Sequence, residues 1–338
     1  MNFYIKYKRV IKVLLLLFVL VFVGQFIWNT NFEEIMAYLR KMPLCFLGIV
    51  GLSFMAYLSA TYAWKLCLGK DGSKTGIGQL FMIRHVGEML SVFNPASVVA
   101  GETLKAHYLK KQGVSNQDSI SSILMSRILI ILSAILLLLV SSLYLIFKTF
   151  GADRNLIAVI LVGAAVGGFG YLLARFLLHS KLYLSRFFYK LQKKFGDKYI
   201  SNKLCASIED VNRTSYTFYI HNKQKFYIAF FLSIVHWIFG AAEFFLILIT
   251  LGFDTSFLNA IAIEMGVILF KTLGAVVPGQ VGVEEYANKV MLGIIGIVSN
   301  EVWLVVSIMR RARQLFWVGV AGIFYWSIAR MKMETVVK

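Results

Sequence analysis

The sequence predicts an all-α integral membrane protein of about six transmembrane helices plus two re-entrant, broken helical hairpins, arranged as an inverted repeat. Three observations carry this. The chain is 59% hydrophobic and 15% charged over 338 residues, too apolar for a soluble domain of that length. Two apolar segments are interrupted by proline and glycine and restart on glutamate: Lys271 to Glu285 (KTLGAVVPGQVGVEE) and Glu88 to Lys105 (EMLSVFNPASVVAGETLK). A single offset of 183 residues relates Pro95 to Pro278, Glu102 to Glu285 and Arg127 to Arg310, as an internal duplication requires.

Proline and glycine at membrane depth free backbone groups that lipid cannot satisfy, so each break must sit in protein or line a wet cavity. The breaks are marked by Pro95 and Gly101 in one segment and by Pro278, Gly279 and Gly282 in the other.

The formal charge of +18 would suggest nucleic acid in a soluble protein. Here the basic residues lie between apolar runs, so anionic inner-leaflet lipid is the expected partner and nucleic acid is not. Cys45, Cys67 and Cys205 have no metal-ligand spacing and are read as unpaired thiols. No metal and no cofactor is expected.

In chain order, Lys6, Lys8, Arg9 and Lys12 precede an apolar run, Val13 to Trp28, that lacks a small-residue cleavage site and reads as a retained first span. Further spans are expected over Leu44 to Leu68, Ser119 to Phe147, Leu156 to Leu178, Phe226 to Leu251 and Val302 to Ile328. The broken segments have the length of either a further pair of spans or a re-entrant hairpin. With hairpins, the predicted cytoplasmic parts hold 24 lysines and arginines against 4 outside, which places both termini in the cytoplasm of an inner-membrane protein. The chain is then one transmembrane domain, 1–338, with repeats over about 44–147 and 226–328. The connector, 180–225, is amphipathic: Tyr183, Phe187, Leu191 and Phe195 share a helical face among basic residues, which suits the inner membrane surface or a docked, solvated helix.

Ionisable residues inside spans call for an explanation. Arg127, Lys271, Arg310, Arg311 and Arg313 are candidates for an anionic ligand, since guanidinium binds phosphate or carboxylate as a fork. Neutralisation by Glu102, Glu243, Glu264, Glu284 and Glu285 explains them equally well, and both can hold in one site. Glu284 and Glu285 fit the first turn of a returning helix, where carboxylates face the positive end of the dipole; a gating role for them is the sharper alternative. Glu88 and Lys271 occupy equivalent positions with opposite charge, which predicts a pair between the repeats. His236 and Glu243 share a helix face, compatible with a proton relay or with a satisfied core histidine. No nucleophile elbow, HExxH or dinucleotide loop is present, so no catalytic residue is assigned.

Pro278-Gly279-Gln280-Val281-Gly282-Val283-Glu284-Glu285, Asn94-Pro95 with Gly101-Glu102-Thr103-Leu104-Lys105, and Ser126-Arg127 resemble the lysylphosphatidylglycerol synthase transmembrane-region family. This is the flippase-like module also found in the multiple peptide resistance factor. The resemblance spans about Leu44 to Arg330 and makes Glu285 the family glutamate; Ala100-Gly101 and Lys105 stand where the family often has Gly-Gly and arginine. It implies movement of a lipid between leaflets, with aminoacyl-phosphatidylglycerol, polyprenyl-linked or hopanoid lipids as substrates. The aminoacyltransferase domain of the full-length synthase is not expected after Arg330, so lipid aminoacylation is not expected of this chain. The expectation is a flippase for a phospholipid or polyprenyl-phosphate-linked lipid; the alternatives are a membrane enzyme acting on a lipid-linked substrate and an accessory lipid-binding subunit. Self-association as a homo-oligomer is compatible with each.

Overall fold

The computed structural model describes residues 32–93, 97–150, 182–196, 201–275 and 282–336, with isolated positions between them. Among these residues the fold is helical, without strands. The predicted first span, most of the fourth, and Pro95, Pro278 and Gly279 lie outside the described residues.

Helix α1 (Phe32–Arg40) and α2 (Pro43–Cys67) are followed by α3 (Ile77–Phe93), α4 (Ser97–Lys111) and α5 (Asn116–Phe150). After the connector helices α6 (Tyr183–Phe195) and α7 (Asn202–His221) come α8 (Lys223–Thr250), α9 (Phe257–Leu273), α10 (Val283–Ile294) and α11 (Asn300–Val336). The ends of α8 to α11 lie 180 to 186 residues after the corresponding ends of α2 to α5.

Local chemistry explains where these helices begin and end. Pro43 opens α2, where a missing N–H costs nothing. Ser115 caps α5 by accepting from the Asp118 amide at 3.0 Å, and Ser299 caps α11 by accepting from the Val302 amide at 3.2 Å. Chain reversals after α2 and α8 use Gly69 (φ 61°) and Gly252 (φ 90°); those after α4 and α10 use Gly113 (φ 79°) and Gly296 (φ 97°). Glycine reaches this left-handed region without the Cβ clash that other residues suffer. Both glycine pairs stand 183 residues apart, so the turns repeat in the same register as the charged residues.

Among the described residues, three helices are long and apolar enough to cross a membrane: Pro43–Cys67, Asn116–Lys148 and Lys223–Thr250. Six spans were expected. Helix α11 is as long as these, but Arg310, Arg311 and Arg313 interrupt its apolar run.

Helices α2 and α8 form the central pair and run antiparallel. Gly48 lies against Leu246, the Ala56 carbonyl meets His236 Nδ1 at 2.9 Å, and the Gly69 carbonyl accepts from Lys225 Nζ at 2.9 Å. Small buried residues permit the close approach: Ser53, Ala56, Ser59, Ala60 and Ala63 on α2, Ala229, Ser233 and Ala241 on α8. The serine hydroxyls return their protons to carbonyls three or four residues back, so they cost little at depth. Around this pair the packing is reciprocal, with α11 on α3 and α5 on α9. The largest apolar cluster joins Ile49, Phe244, Ile263, Leu292 and Val306, with Ile35 of α1 closing its edge.

The connector differs from a simple amphipathic pairing. Helix α6 turns polar residues to α7: the Ser185 amide donates to Asn212 Oδ1 at 3.4 Å and Gln192 to Asn202 at 2.8 Å. Phe187 stays exposed. The three cysteines are free, as their spacing suggested, and all three are buried.

Candidate functional site

Two ion-pair networks lie where α3 meets α4 and where α9 meets α10. In the first, α3 supplies Glu88, α4 supplies Glu102 and Lys105, and α5 supplies Arg127. Lys105 Nζ donates to Glu88 at 2.7 Å, and Arg127 reaches Glu88 at 2.7 Å and Glu102 at 2.8 Å through Nε. The approach of α3 to α4 depends on Gly87: a Cβ there would lie 2.5 Å from Lys105 Cε and 3.0 Å from the Gly101 carbonyl. Gly101 is thereby part of a tight helix crossing.

The second network is larger. Arg310 on α11, its side chain 3% exposed, meets Glu264 of α9 at 3.1 Å, Glu284 of α10 at 3.2 Å and Glu243 of α8 at 3.6 Å. Its guanidinium also lies 4.2 Å above the Phe244 ring. Arg313 binds Glu243 at 2.6 Å, Lys271 binds Glu284 at 3.0 Å, and Arg311 binds Glu285 at 2.7 Å. Gly240 makes room for this cluster, since a Cβ at that position would stand 2.9 Å from Glu264 Oε1.

The second break is held by its own chain. Glu285 Oε2 accepts from the Gly282 amide at 2.8 Å, and Gly282 takes φ 83° at the start of α10. The helix-start role expected for the paired glutamates is therefore realised by Glu285. Gln280, at φ 51°, donates its side-chain amide to the Lys271 carbonyl at 3.1 Å, and its own carbonyl accepts from Arg311 at 3.0 Å. Two backbone carbonyls beside the break, those of Lys271 and Gln280, thus find partners.

Between the networks lies a cavity of about 290 Å³ bordered by both halves. Arg84, Glu88 and Arg127 line it from the first half, Lys271 and Arg313 from the second. Its aromatic walls are Tyr57, Trp237 and Trp317, held by hydrogen bonds from Trp317 Nε1 to Ser53 at 2.8 Å and from Trp237 Nε1 to the Ile130 carbonyl at 3.1 Å. His85 and His236 complete the wall, each with Nδ1 against a backbone carbonyl, Phe81 at 3.0 Å and Ala56 at 2.9 Å. That contact assigns the Nδ1–H tautomer to a neutral ring and leaves Nε2 as an acceptor.

Of the five cations expected to meet a ligand, the cavity lining includes Arg127, Lys271 and Arg313. Arg310 and Arg311 instead bind glutamates behind it. The pair expected between Glu88 and Lys271 does not form, although both face the cavity. Lys105 and Arg127 come to Glu88 from the neighbouring helices of its own half, and Glu284 captures Lys271. The register also slips by one in the second half: Arg127 binds Glu102, whereas Arg310 binds Glu284 and leaves Glu285 to Arg311. Capping of Gly282 turns Glu285 toward the helix start, which accounts for the slip. His236 and Glu243 share a face but not a bond, since His236 is tied to Ala56 and Glu243 to Arg313.

Arg84, Tyr57 and Trp317 were not anticipated from the sequence. A signal existed for the first: Arg84 precedes Glu88 by one helical turn inside an apolar run. Among the described residues no group of histidine, cysteine and acidic side chains could hold a metal ion.

Long apolar helices with charged clusters buried between them define a multi-pass α-helical membrane protein. The chain belongs to the family described as lysylphosphatidylglycerol synthase TM region, whose model matches residues 9–322. Comparison with curated proteins and with solved structures gives no match.

Proposed function

We propose that this protein is a flippase: it carries an anionic lipid head group across the bilayer through the cavity between its two halves, with the acyl chains remaining in lipid. The observation that carries this reading is the cavity lining, where Arg127 of one half and Lys271 and Arg313 of the other converge with aromatic walls. Family membership supports a lipid-related role. Arg310, Arg311, Glu102, Glu284 and Glu285 then brace the cavity or gate it from behind, and no catalytic residue is invoked.

The finer architecture belongs to the same reading. Antiparallel α2 and α8, with reciprocal packing of α11 on α3 and α5 on α9, supports a pseudo-twofold axis perpendicular to the long helices. Such an axis lies in the membrane plane, which makes the repeat inverted and puts the cavity near the midplane. Six spans, two re-entrant hairpins and cytoplasmic termini in the inner membrane complete the arrangement. The connector would rest on anionic lipid of the inner leaflet.

The test is translocation in proteoliposomes. Purified protein is expected to speed loss of an anionic fluorescent phospholipid from the leaflet protected against an impermeant quencher. Arg127→Gln should slow it by about tenfold or more, since it removes a cation of the cavity wall and leaves Glu88 and Glu102 to repel an anion. Protein-independent rates would overturn the proposal, and covalent change of the lipid would favour an enzyme.

A further inference from the structure

One cation in the cavity differs from all the others. Six cations of the two networks are matched by six carboxylates, each within salt-bridge distance of a partner. Arg84 is the seventh. Its residue is only 9% exposed, yet among the described residues no carboxylate lies within 4.0 Å of it and no hydrogen bond reaches it. Its single contact of note is the Tyr57 ring, whose centroid lies 5.5 Å from the guanidinium carbon. Glu88, one turn along the same helix, is already shared by Lys105 and Arg127. A guanidinium that borders a cavity and has no protein acceptor must find an anion or water there to offset its lost hydration, and a nearby aromatic ring supplies only part of that.

Arg84 borders the large cavity and also the narrow cleft beside it, which is lined by Glu88, Glu102, Lys105 and Arg127. The missing counter-charge therefore has a place to sit, and the surrounding carboxylates limit its size. Counted over its arginines, lysines and glutamates, the site carries one positive charge in excess. A group bringing one negative charge balances it, whereas a dianion would overshoot and meet Glu88 and Glu102 without a compensating cation.

We propose that Arg84 is the specificity-determining residue of the cavity, receiving the anionic oxygens of a lipid head group that carries a single net negative charge, as a phosphodiester does. The assignment rests on the reading of the cavity as a lipid head-group site. The guanidinium, 5.5 Å from the centre of the Tyr57 ring, presents its N–H fork to two phosphate oxygens. Arg127 and Arg313, already bound to glutamates, act as the electrostatic surround.

The experiment uses the purified full chain in detergent and three short-chain probes: dihexanoyl phosphatidylglycerol (a monoanion), phosphatidic acid (a phosphomonoester) and phosphatidylcholine (net neutral). Binding is read by quenching of cavity tryptophan fluorescence and by the rise in thermal midpoint. Phosphatidylglycerol should bind best. Arg84→Gln should weaken it by about tenfold or more, while the ligand-free midpoint stays equal or rises because an unmatched buried charge has gone. Equal affinity for the three probes, or unchanged phosphatidylglycerol affinity in Arg84→Gln, overturns the proposal. A ligand-free Arg84→Gln protein that melts early also overturns it, by making Arg84 a structural residue. If Arg127→Gln loses binding and Arg84→Gln does not, this assignment fails while the head-group cavity stands. If the unaltered protein binds none of the probes saturably, both fall.

Discussion

Replacing Arg310 by glutamine tests the second network at its centre. The guanidinium is 3% exposed and spans Glu264, Glu284 and Glu243 at 3.1, 3.2 and 3.6 Å. After the substitution, Glu243 keeps Arg313 at 2.6 Å and Glu284 keeps Lys271 at 3.0 Å. Glu264, whose side chain is 5% exposed, loses its ion-pair partner and remains as an unmatched charge. Breaking one side of a buried pair costs about 3 to 5 kcal/mol, against about 1 kcal/mol for an exposed one. Converted at roughly 2 °C per kcal/mol for a large domain, the thermal midpoint in detergent should fall by roughly 6 to 10 °C. Adding Glu264→Gln removes the stranded carboxylate, so the double variant should recover about half of the loss, a coupling measurable by a double-mutant cycle. A midpoint for Arg310→Gln equal to that of the unaltered protein would refute the reasoning, since it would mean that Arg310 is solvated and free.

Two further experiments test the packing and the pairing. Gly240→Ala should destabilise by about 1 to 3 kcal/mol through displacement of Glu264, whereas Gly51→Ala, with open space at its Cβ position, should be neutral in the same thermal assay. Exchanging charges by Glu88→Lys with Lys271→Glu should fail to restore translocation lost in either single variant. Each residue has its partners within its own half, so the exchange breaks both sets of pairs.

The all-helical character and the order of the long helices were legible in the sequence, where matching features recur at one register. The offset of 183 found from Pro95, Glu102 and Arg127 also relates the reversal glycines Gly69 and Gly252, and Gly113 and Gly296, a signal present in the sequence and overlooked. Partners were harder to read than positions. Helical spacing puts Lys271 and Glu88 at equivalent places, but which carboxylate a four-carbon ammonium reaches depends on neighbouring helices that spacing does not describe. Arg84 is not legible as a wall residue from spacing alone, since it is the packing of α3 that carries it to the cavity. In the connector, the apolar stripe of α6 was evident, but its choice of Ser185 and Gln192 to face α7 rests on hydrogen-bond partners, Asn212 and Asn202, far along the chain.

The central claim is a positively charged cavity, open to anions, between the two halves. Its most direct measure is the reactivity of one cysteine, Met89→Cys at the cavity wall, in a variant whose Cys45, Cys67 and Cys205 are replaced by alanine. A sulfonate-bearing thiol reagent should modify it about tenfold faster than a quaternary ammonium reagent of similar size, with the preference shrinking in Arg84→Gln. Equal rates, or a faster reaction with the cationic reagent, would contradict the account.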